Sequence, residues 1–219
     1  MNVHTVLLYA CAAAVIVTGT RLLATLATQG GQEVAPPLAV LRMWRRPVPI
    51  ASAVLVSVMV VLGVAQTVFP GMIDALERHP GGAWWRAGTA LAVQSSGWFQ
   101  ILFNVTALAV VAPVAERRLG AGRMVLVFAV SGVAAQAVSL ASWSPHGGGD
   151  SVAICGLVGA LATSYALRGS LPALRRLVLL IPAAGLLLCL VTNNHGAGLV
   201  AGCVLGVGMA VPVRQPLAA

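Results

Sequence analysis

The stretch "HGGGDSVAICGLVGA" (residues 146–160) places Ser151 between an aspartate and an apolar run, shortly after three glycines. Further along the chain, "NNHGAGLVAG" (residues 193–202) places His195 at the start of a second apolar run. A membrane-spanning helix needs about 20 mostly apolar residues, and both runs approach that length. The two stretches therefore predict two membrane helices, one headed by a hydroxyl and the other by an imidazole.

The composition also indicates a membrane protein. Of the 219 residues, 59% are hydrophobic and 8% are charged, and the mean hydropathy is +0.94. A soluble domain carries about 25% charged residues, so this chain has too little polar surface to face water along most of its length. The four cysteines lie in apolar runs without CxxC spacing. We therefore expect no disulfide, no metal site and no cofactor.

The apolar runs predict seven membrane spans, at residues 5–27, 50–69, 91–113, 122–143, 151–168, 173–192 and 195–213. The first run is long enough for a signal peptide as well. Its leading residues, "MNVHT", contain no arginine or lysine, whereas three arginines follow the run. This distribution favours a retained helix over a cleaved signal peptide.

Arginine placement predicts the orientation of these spans. All 13 basic residues are arginines, and ten of them fall on one side of the predicted spans: Arg42, Arg45, Arg46, Arg117, Arg118, Arg123, Arg168, Arg175, Arg176 and Arg214. Only Arg78 and Arg86 fall on the other side, and Arg21 lies within the first span. The positive-inside rule then puts the N-terminus outside and the C-terminus in the cytoplasm. Because the arginines cluster between spans, the predicted partner is the lipid bilayer and not nucleic acid.

The fifth and seventh spans both start on the outer side, because the sixth span returns the chain between them. Ser151 and His195 are therefore predicted to lie near the same face at similar depth. Both spans are rich in small residues: Gly156, Gly159, Ala160, Gly198, Gly202 and Gly206. Small residues allow close approach of helix backbones, which an imidazole needs in order to reach a serine hydroxyl.

A serine hydroxyl is a weak nucleophile until a base takes its proton, and histidine is the usual base. The start of a helix adds free backbone N–H groups that stabilise a nearby oxyanion. The alternative is that Ser151 is an ordinary helix serine and His195 an interfacial polar residue. Asp150 is interpreted as the N-cap of the helix, with an electrostatic interaction with His195 as the alternative.

Four motifs in order resemble the rhomboid family of intramembrane serine proteases. They are "WWRAGTAL" (84–91), "FNVTALAVVAPVAERRLG" (103–120), "GDSVAICGLVGA" (149–160) and "HGAGLVAGCVLG" (195–206). They are similar to the family's WR element, its HxxxN helix with the following turn, its GxSGxxxGLxGA motif and its HxxGxxxGxxxG motif. The resemblance covers residues from about 50 to 213.

The resemblance implies an all-α polytopic membrane protein with a rhomboid-like six-helix core and one extra N-terminal transmembrane helix. Residues 1–48 would hold that helix and a basic cytoplasmic loop, and residues 49–219 the core. It also implies a serine endopeptidase that cleaves transmembrane protein substrates near the outer membrane face. In that mechanism Ser151 is the nucleophile, His195 is the base, and Asn104 donates to the oxyanion.

Several positions depart from the family pattern. The histidine four residues before the asparagine is Gln100, and an earlier histidine is Gln94. Glutamine still donates hydrogen bonds, so Gln100 is a second candidate for oxyanion stabilisation. The glycine after the serine is Val152, and the aromatic residue that packs on the histidine is Cys155.

These departures leave open the alternative of a catalytically inactive rhomboid-like protein that binds transmembrane segments. A small transporter is not favoured, because no inverted repeat and no paired half-helices are visible. The expected location is a bacterial plasma membrane. The sequence does not indicate the oligomeric state.

Overall fold

The computed structural model describes residues 2–28, 36–45 and 47–210, and within these ranges the chain is helical without strands. The helices are α1 (Val3–Thr28), α2 (Pro36–Arg42), α3 (Ile50–Val68), α4 (Gly71–Leu76), α5 (Arg86–Thr89), α6 (Trp98–Leu119), α7 (Ala121–Val138), α8 (Ser151–Arg168), α9 (Pro172–Leu177), α10 (Leu180–Leu190) and α11 (Asn194–Ala210). A 3₁₀ turn, Ala90–Ala92, follows α5, and a π-helical turn, Ser139–Trp143, extends α7.

Six helical stretches in the described ranges are long and apolar enough to cross a membrane: Val3–Thr28, Ile50–Val68, Trp98–Leu119, Ala121–Trp143, Ser151–Arg168 and Pro172–Leu190. The helix α11 is apolar and has 17 residues. It corresponds to the seventh predicted span, whose last part, residues 211–213, lies outside the described residues. The prediction of an all-α, multi-pass membrane protein is confirmed.

Two predicted spans differ from the observed helices. The third span was placed at 91–113, but α6 runs from Trp98 to Leu119. Gly97 has a φ of +76°, which ends the preceding segment and starts the helix in a new direction. The sixth span is broken between α9 and α10. Pro182, near the start of α10, has no N–H to donate to the turn before it.

The predicted close packing of α8 on α11 is confirmed. A Cβ added to any of three α11 glycines would collide with a backbone carbonyl of α8: Gly198 with Val152, Gly202 with Gly156, and Gly206 with Ala160. Gly159 of α8 is equally close to the backbone of α11 at Leu199. The two backbones therefore touch along most of their length, which fixes the starts of both helices next to each other.

One end of the bundle is fastened by charged side chains. Glu116 accepts hydrogen bonds from the backbone N–H and the hydroxyl of Ser52, at 2.6 and 2.7 Å, and so caps α3. Arg117 donates to the carbonyl oxygens of Met43, Arg45 and Pro47 at 2.8–3.0 Å. These contacts hold the segment between α2 and α3 against the end of α6.

The loop between α3 and α6 lies at the opposite end, against the glycines that precede Ser151. Arg78 and Gly147 exchange two backbone hydrogen bonds of 3.1 Å. The buried Arg78 guanidinium donates to the carbonyl of Ser144. Arg86 donates to the carbonyls of Asp74 and Glu77 at 3.0 and 2.6 Å. These hydrogen bonds hold the loop in place beside the start of α8.

Candidate active site

Ser151 and His195 meet at the end of the α8–α11 pair. Ser151 is the first residue of α8 and His195 the second residue of α11. The Ser151 Oγ lies 3.0 Å from His195 Nε2, and both residues are half-buried. This is hydrogen-bond distance, the geometry in which an imidazole accepts a hydroxyl proton.

Asn193 holds the other side of the imidazole. Its Oδ1 lies 3.1 Å from His195 Nδ1 and accepts the His195 backbone N–H at 3.0 Å. A backbone N–H is always a donor, so the atom that it contacts is the amide oxygen. The oxygen requires a hydrogen on Nδ1, which leaves the Nε2 lone pair facing Ser151.

The chain reaches Asn193 through a tight turn after α10. Thr192 has a φ of +55°, and the Asn193 N–H donates to the Leu188 carbonyl at 2.9 Å. Asn193 thus takes the position before α11 and caps that helix while it orients the histidine. Sequence reasoning did not select Asn193. The sequence does contain an indication of its role: Asn193 is an asparagine just before a predicted helix and two residues before the candidate base.

Asp150 does not cap α8 with its side chain, so that interpretation is wrong. The fully buried carboxylate instead accepts hydrogen bonds at Oδ1 from Gln94 Nε2 at 2.7 Å and from Asn104 Nδ2 at 3.0 Å. These two amides turn the carboxylate away from the helix N–H groups. Burial raises the pKa of the Asp150 carboxyl, and the amide donors oppose that effect.

Asn104, the predicted oxyanion donor, has both amide hydrogens engaged. Its Nδ2 donates to Gln94 Oε1 at 2.8 Å and to Asp150 Oδ1. Gln94 is held in turn by Gln66 of α3 through two hydrogen bonds of 2.8 and 2.9 Å between side chain and backbone. A buried chain of amides therefore connects α3, the loop before α6, α6 and the start of α8. Gln66 was not selected from the sequence, although a glutamine within an apolar span is unusual.

Gln100, the second predicted oxyanion donor, bridges two loops. Its Nε2 donates to the Gly148 carbonyl at 3.0 Å, and its Oε1 accepts the Ser96 N–H at 2.7 Å. A Cβ on Gly149, whose φ is +154°, would collide with the Gln100 amide. Within the described ranges no hydrogen bond joins Gln100 or Asn104 to Ser151 or His195. Both amides instead hold the residues that immediately precede Ser151.

Val152 and Cys155, the two other departures from the family pattern, both lie close to Ser151 in α8. Val152 is buried, and its backbone contacts Gly198 of α11. Cys155 is a free, partly buried thiol one turn after Ser151. Among residues 2–28, 36–45 and 47–210, no cluster of three histidine, cysteine or acidic side chains is arranged to hold a metal ion.

A serine hydroxyl bonded to an oriented imidazole, at the ends of two tightly packed apolar helices, matches the geometry of the nucleophile and base in serine hydrolases. The family model of the Rhomboid domain matches residues 81–214, which include both side chains. The chain therefore belongs to the rhomboid family, whose members are generally intramembrane serine proteases. A comparison with curated protein sequences gave no match.

Proposed function

We propose that the protein is an intramembrane serine endopeptidase that cleaves transmembrane protein substrates near the outer membrane face. The observation that carries the proposal is the 3.0 Å contact between Ser151 Oγ and His195 Nε2. Asn193 also orients the imidazole of His195. Two polar residues that met by chance in an apolar bundle would not be expected to show both contacts.

In the proposed mechanism, His195 Nε2 takes the proton of the Ser151 hydroxyl as Oγ attacks the scissile carbonyl carbon. The tetrahedral intermediate collapses when the imidazolium gives that proton to the leaving amine. An acyl-enzyme on Ser151 remains. A water molecule then loses a proton to His195, attacks the ester carbonyl and releases the second product with the proton returned to Oγ.

The oxyanion would be stabilised first by the Ser151 backbone N–H, which has no hydrogen-bond partner within the described ranges. Asn104 would contribute by exchanging one of its present hydrogen bonds, to Gln94 or Asp150, for the oxyanion. Gln100 has one amide hydrogen beyond the one given to Gly148, and would donate that hydrogen or keep the glycine turn in place. Preorganised donors of this kind commonly supply the largest share of catalysis.

The proposed location of the site follows from the arginines. Arg117, Arg123 and Arg168 lie at the end of the bundle opposite Ser151, which would place the site at the outer face of the membrane. Cysteine-accessibility labelling, with the native cysteines replaced by alanine, tests this orientation. Position 146 should react from outside, and positions 120 and 172 from the cytoplasm, since all three are exposed. The reverse pattern would contradict the proposed orientation.

The proposed activity is tested with Ser151→Ala and a model transmembrane substrate. The change removes one oxygen, so cleavage should be abolished while thermal unfolding of the purified protein stays nearly the same. Ser142→Ala is the matched control, because Ser142 is exposed at the same end of the bundle and lies outside the hydrogen bonds described for the site. If Ser151→Ala cleaves the substrate at the wild-type rate, the proposal is wrong.

The alternative function is binding of transmembrane segments without cleavage. One observation favours it: both hydrogens of the Asn104 amide are occupied, so this oxyanion donor is not free in this structure. Under this alternative, a photo-crosslinker near Ser151 captures a transmembrane segment, while neither wild type nor Ser151→Ala forms cleavage products. Detection of a product that depends on Ser151 rejects it.

A further inference from the structure

A cavity of about 450 Å³ lies at the end of the bundle opposite Ser151 and His195. It is open to the surface and is bordered by the ends of α1, α6, α8 and α11 and the start of α7. Three of the residues that line it are arginines: Arg118, Arg123 and Arg168. This cavity is separate from the candidate active site, and nothing in the proposed proteolysis uses it.

The cavity is strongly cationic. None of the residues that line it is acidic, so within residues 2–28, 36–45 and 47–210 no carboxylate lines the cavity beside the three guanidinium groups. Glu116, the acidic residue nearest in sequence, is occupied in capping α3. Arg118 donates one hydrogen bond to the Leu26 carbonyl, which directs its guanidinium along the cavity wall. The charge therefore favours an anionic occupant.

Tyr165 provides an independent indication of a ligand. The residue is 4% exposed and its ring lines the cavity. Its hydroxyl is buried and has no hydrogen-bond partner in the described part of the chain. The Arg118 guanidinium is close enough to interact electrostatically with it. A buried hydroxyl without a partner is unfavourable, and an anion in the cavity would accept its hydrogen bond.

We propose that this cavity binds a phosphate group, carried by an anionic lipid headgroup or by a small soluble phosphate. Guanidinium groups bind phosphate oxygens in pairs, and several arginines with a tyrosine hydroxyl match the many acceptor atoms of one phosphate. Leu26 and Met209 are among the apolar residues that line the cavity, and they provide an apolar contact for the ligand beyond its charge. Basic cavities between membrane helices bind lipid headgroups in this way.

The test is native mass spectrometry and thermal unfolding of the full chain with phosphatidylglycerol, phosphatidylcholine or inorganic phosphate added. Wild type should retain phosphatidylglycerol over phosphatidylcholine. Arg123→Gln/Arg168→Gln should weaken that binding roughly tenfold or more, through loss of charge-assisted hydrogen bonds. The control is Arg45→Gln/Arg176→Gln, which removes the same charge outside the cavity and should leave binding unchanged.

Tyr165→Phe separates a ligand contact from a folding contact. Because the hydroxyl has no partner among the described residues, its removal should not lower the unfolding temperature, but should weaken lipid binding roughly 2–10-fold. Saturable binding of inorganic phosphate with the same variant sensitivity would identify a soluble phosphate as the source. The proposal is overturned if neither phosphate source binds, or if the control variant loses binding as much as the cavity variant does.

Discussion

The two ends of α8 use polar side chains in opposite ways. At the site end, which holds Ser151 and His195, neutral amides and one carboxylate are buried and bonded to one another. At the arginine end, which holds Arg123 and Arg168, guanidinium groups are exposed around a cavity that no acidic side chain of the described residues lines. The site end is a network of mutual hydrogen bonds, in which Asp150 Oδ2 has no partner among the described residues, whereas the arginine end is open to an anion.

The difference indicates how sensitive each end is to change. In a buried network, loss of one hydrogen-bond partner leaves the other group unpaired at low dielectric. Exposed arginines are solvated and screened, so each contributes little to stability by itself. Substitutions at the site end should therefore alter chemistry or folding, and those at the arginine end should alter ligand binding alone.

The largest effect among the supporting residues is expected for Asn193→Ala. Loss of the amide oxygen frees the imidazole to place its hydrogen on Nε2, where it cannot accept from Ser151. Loss of the orienting acid in serine hydrolases lowers kcat about 10⁴-fold, and a neutral amide should contribute less, roughly 10–10²-fold. Cleavage kinetics should show the fall in kcat with little change in KM.

Asn193 also caps α11, so a second measurement must separate the two roles. Nitrogen NMR of the His195 ring should show hydrogen on Nδ1 in wild type and a tautomer mixture in Asn193→Ala. Asn193→Asp keeps the acceptor oxygen and the cap, and should retain most of the activity. An Asn193→Ala enzyme with lowered stability but unchanged kcat and tautomer would show that the residue is only a cap.

A smaller effect is expected for Gln100→Ala. Removal of one oxyanion donor lowers kcat about 10²–10³-fold, but the Ser151 N–H and Asn104 would remain, so roughly tenfold is expected. Gln100→His should hold or raise activity, since related sites use histidine there. Single-turnover cleavage measures the chemical step directly. An unchanged rate for Gln100→Ala would mean that the side chain only bridges Ser96 and Gly148.

Asp150→Asn should change the pH dependence of stability more than activity. Burial raises the pKa of the folded carboxyl above the ordinary value of 3.8, so the folded state holds this proton more tightly than the unfolded state. The resulting stabilisation is complete below that value and is lost as pH rises through the raised pKa. Thermal unfolding should show this loss in wild type relative to Asp150→Asn. If the unfolding temperatures of wild type and Asp150→Asn change with pH in parallel, this prediction is wrong.

The smallest effect is expected at the arginine end. Arg123→Gln/Arg168→Gln removes two charges at the far end of the bundle from Ser151, so the rate of cleavage in neutral lipid should stay within about twofold of wild type. A large loss of cleavage without unfolding would show that the two ends are coupled, and the comparison between them would fail.

The sequence predicted most of the fold because long apolar runs and arginine clusters follow directly from the bilayer. It also predicted that Ser151 and His195 lie close together, since both stand at helix starts on the same side with glycines between the helices. The predicted span starts too early because the short apolar stretch 91–93 precedes the polar residues 94–96, and α6 begins only after Gly97, whose φ is +76°.

The amide network was beyond sequence reasoning for a different reason. Gln66, Gln94 and Asn104 belong to three separate segments. Only the packed bundle brings Gln94 and Asn104 to Asp150, and Gln66 to Gln94. Asp150 was interpreted as a cap because local sequence favours the nearest N–H groups. The buried amides compete with those N–H groups for the carboxylate. A local sequence pattern cannot predict this competition, because the amides come from distant segments. Asn193 was missed because its role depends on the turn at Thr192.

Labelling with a fluorophosphonate probe tests the central claim most directly, because the probe reacts only with an activated serine hydroxyl. The account predicts that the purified wild-type protein is labelled, that peptide mass spectrometry places the label on Ser151, and that His195→Ala abolishes it. Absence of labelling in folded wild-type protein, or equal labelling of Ser151→Ala, would contradict the claim that Ser151 and His195 form a working nucleophile and base.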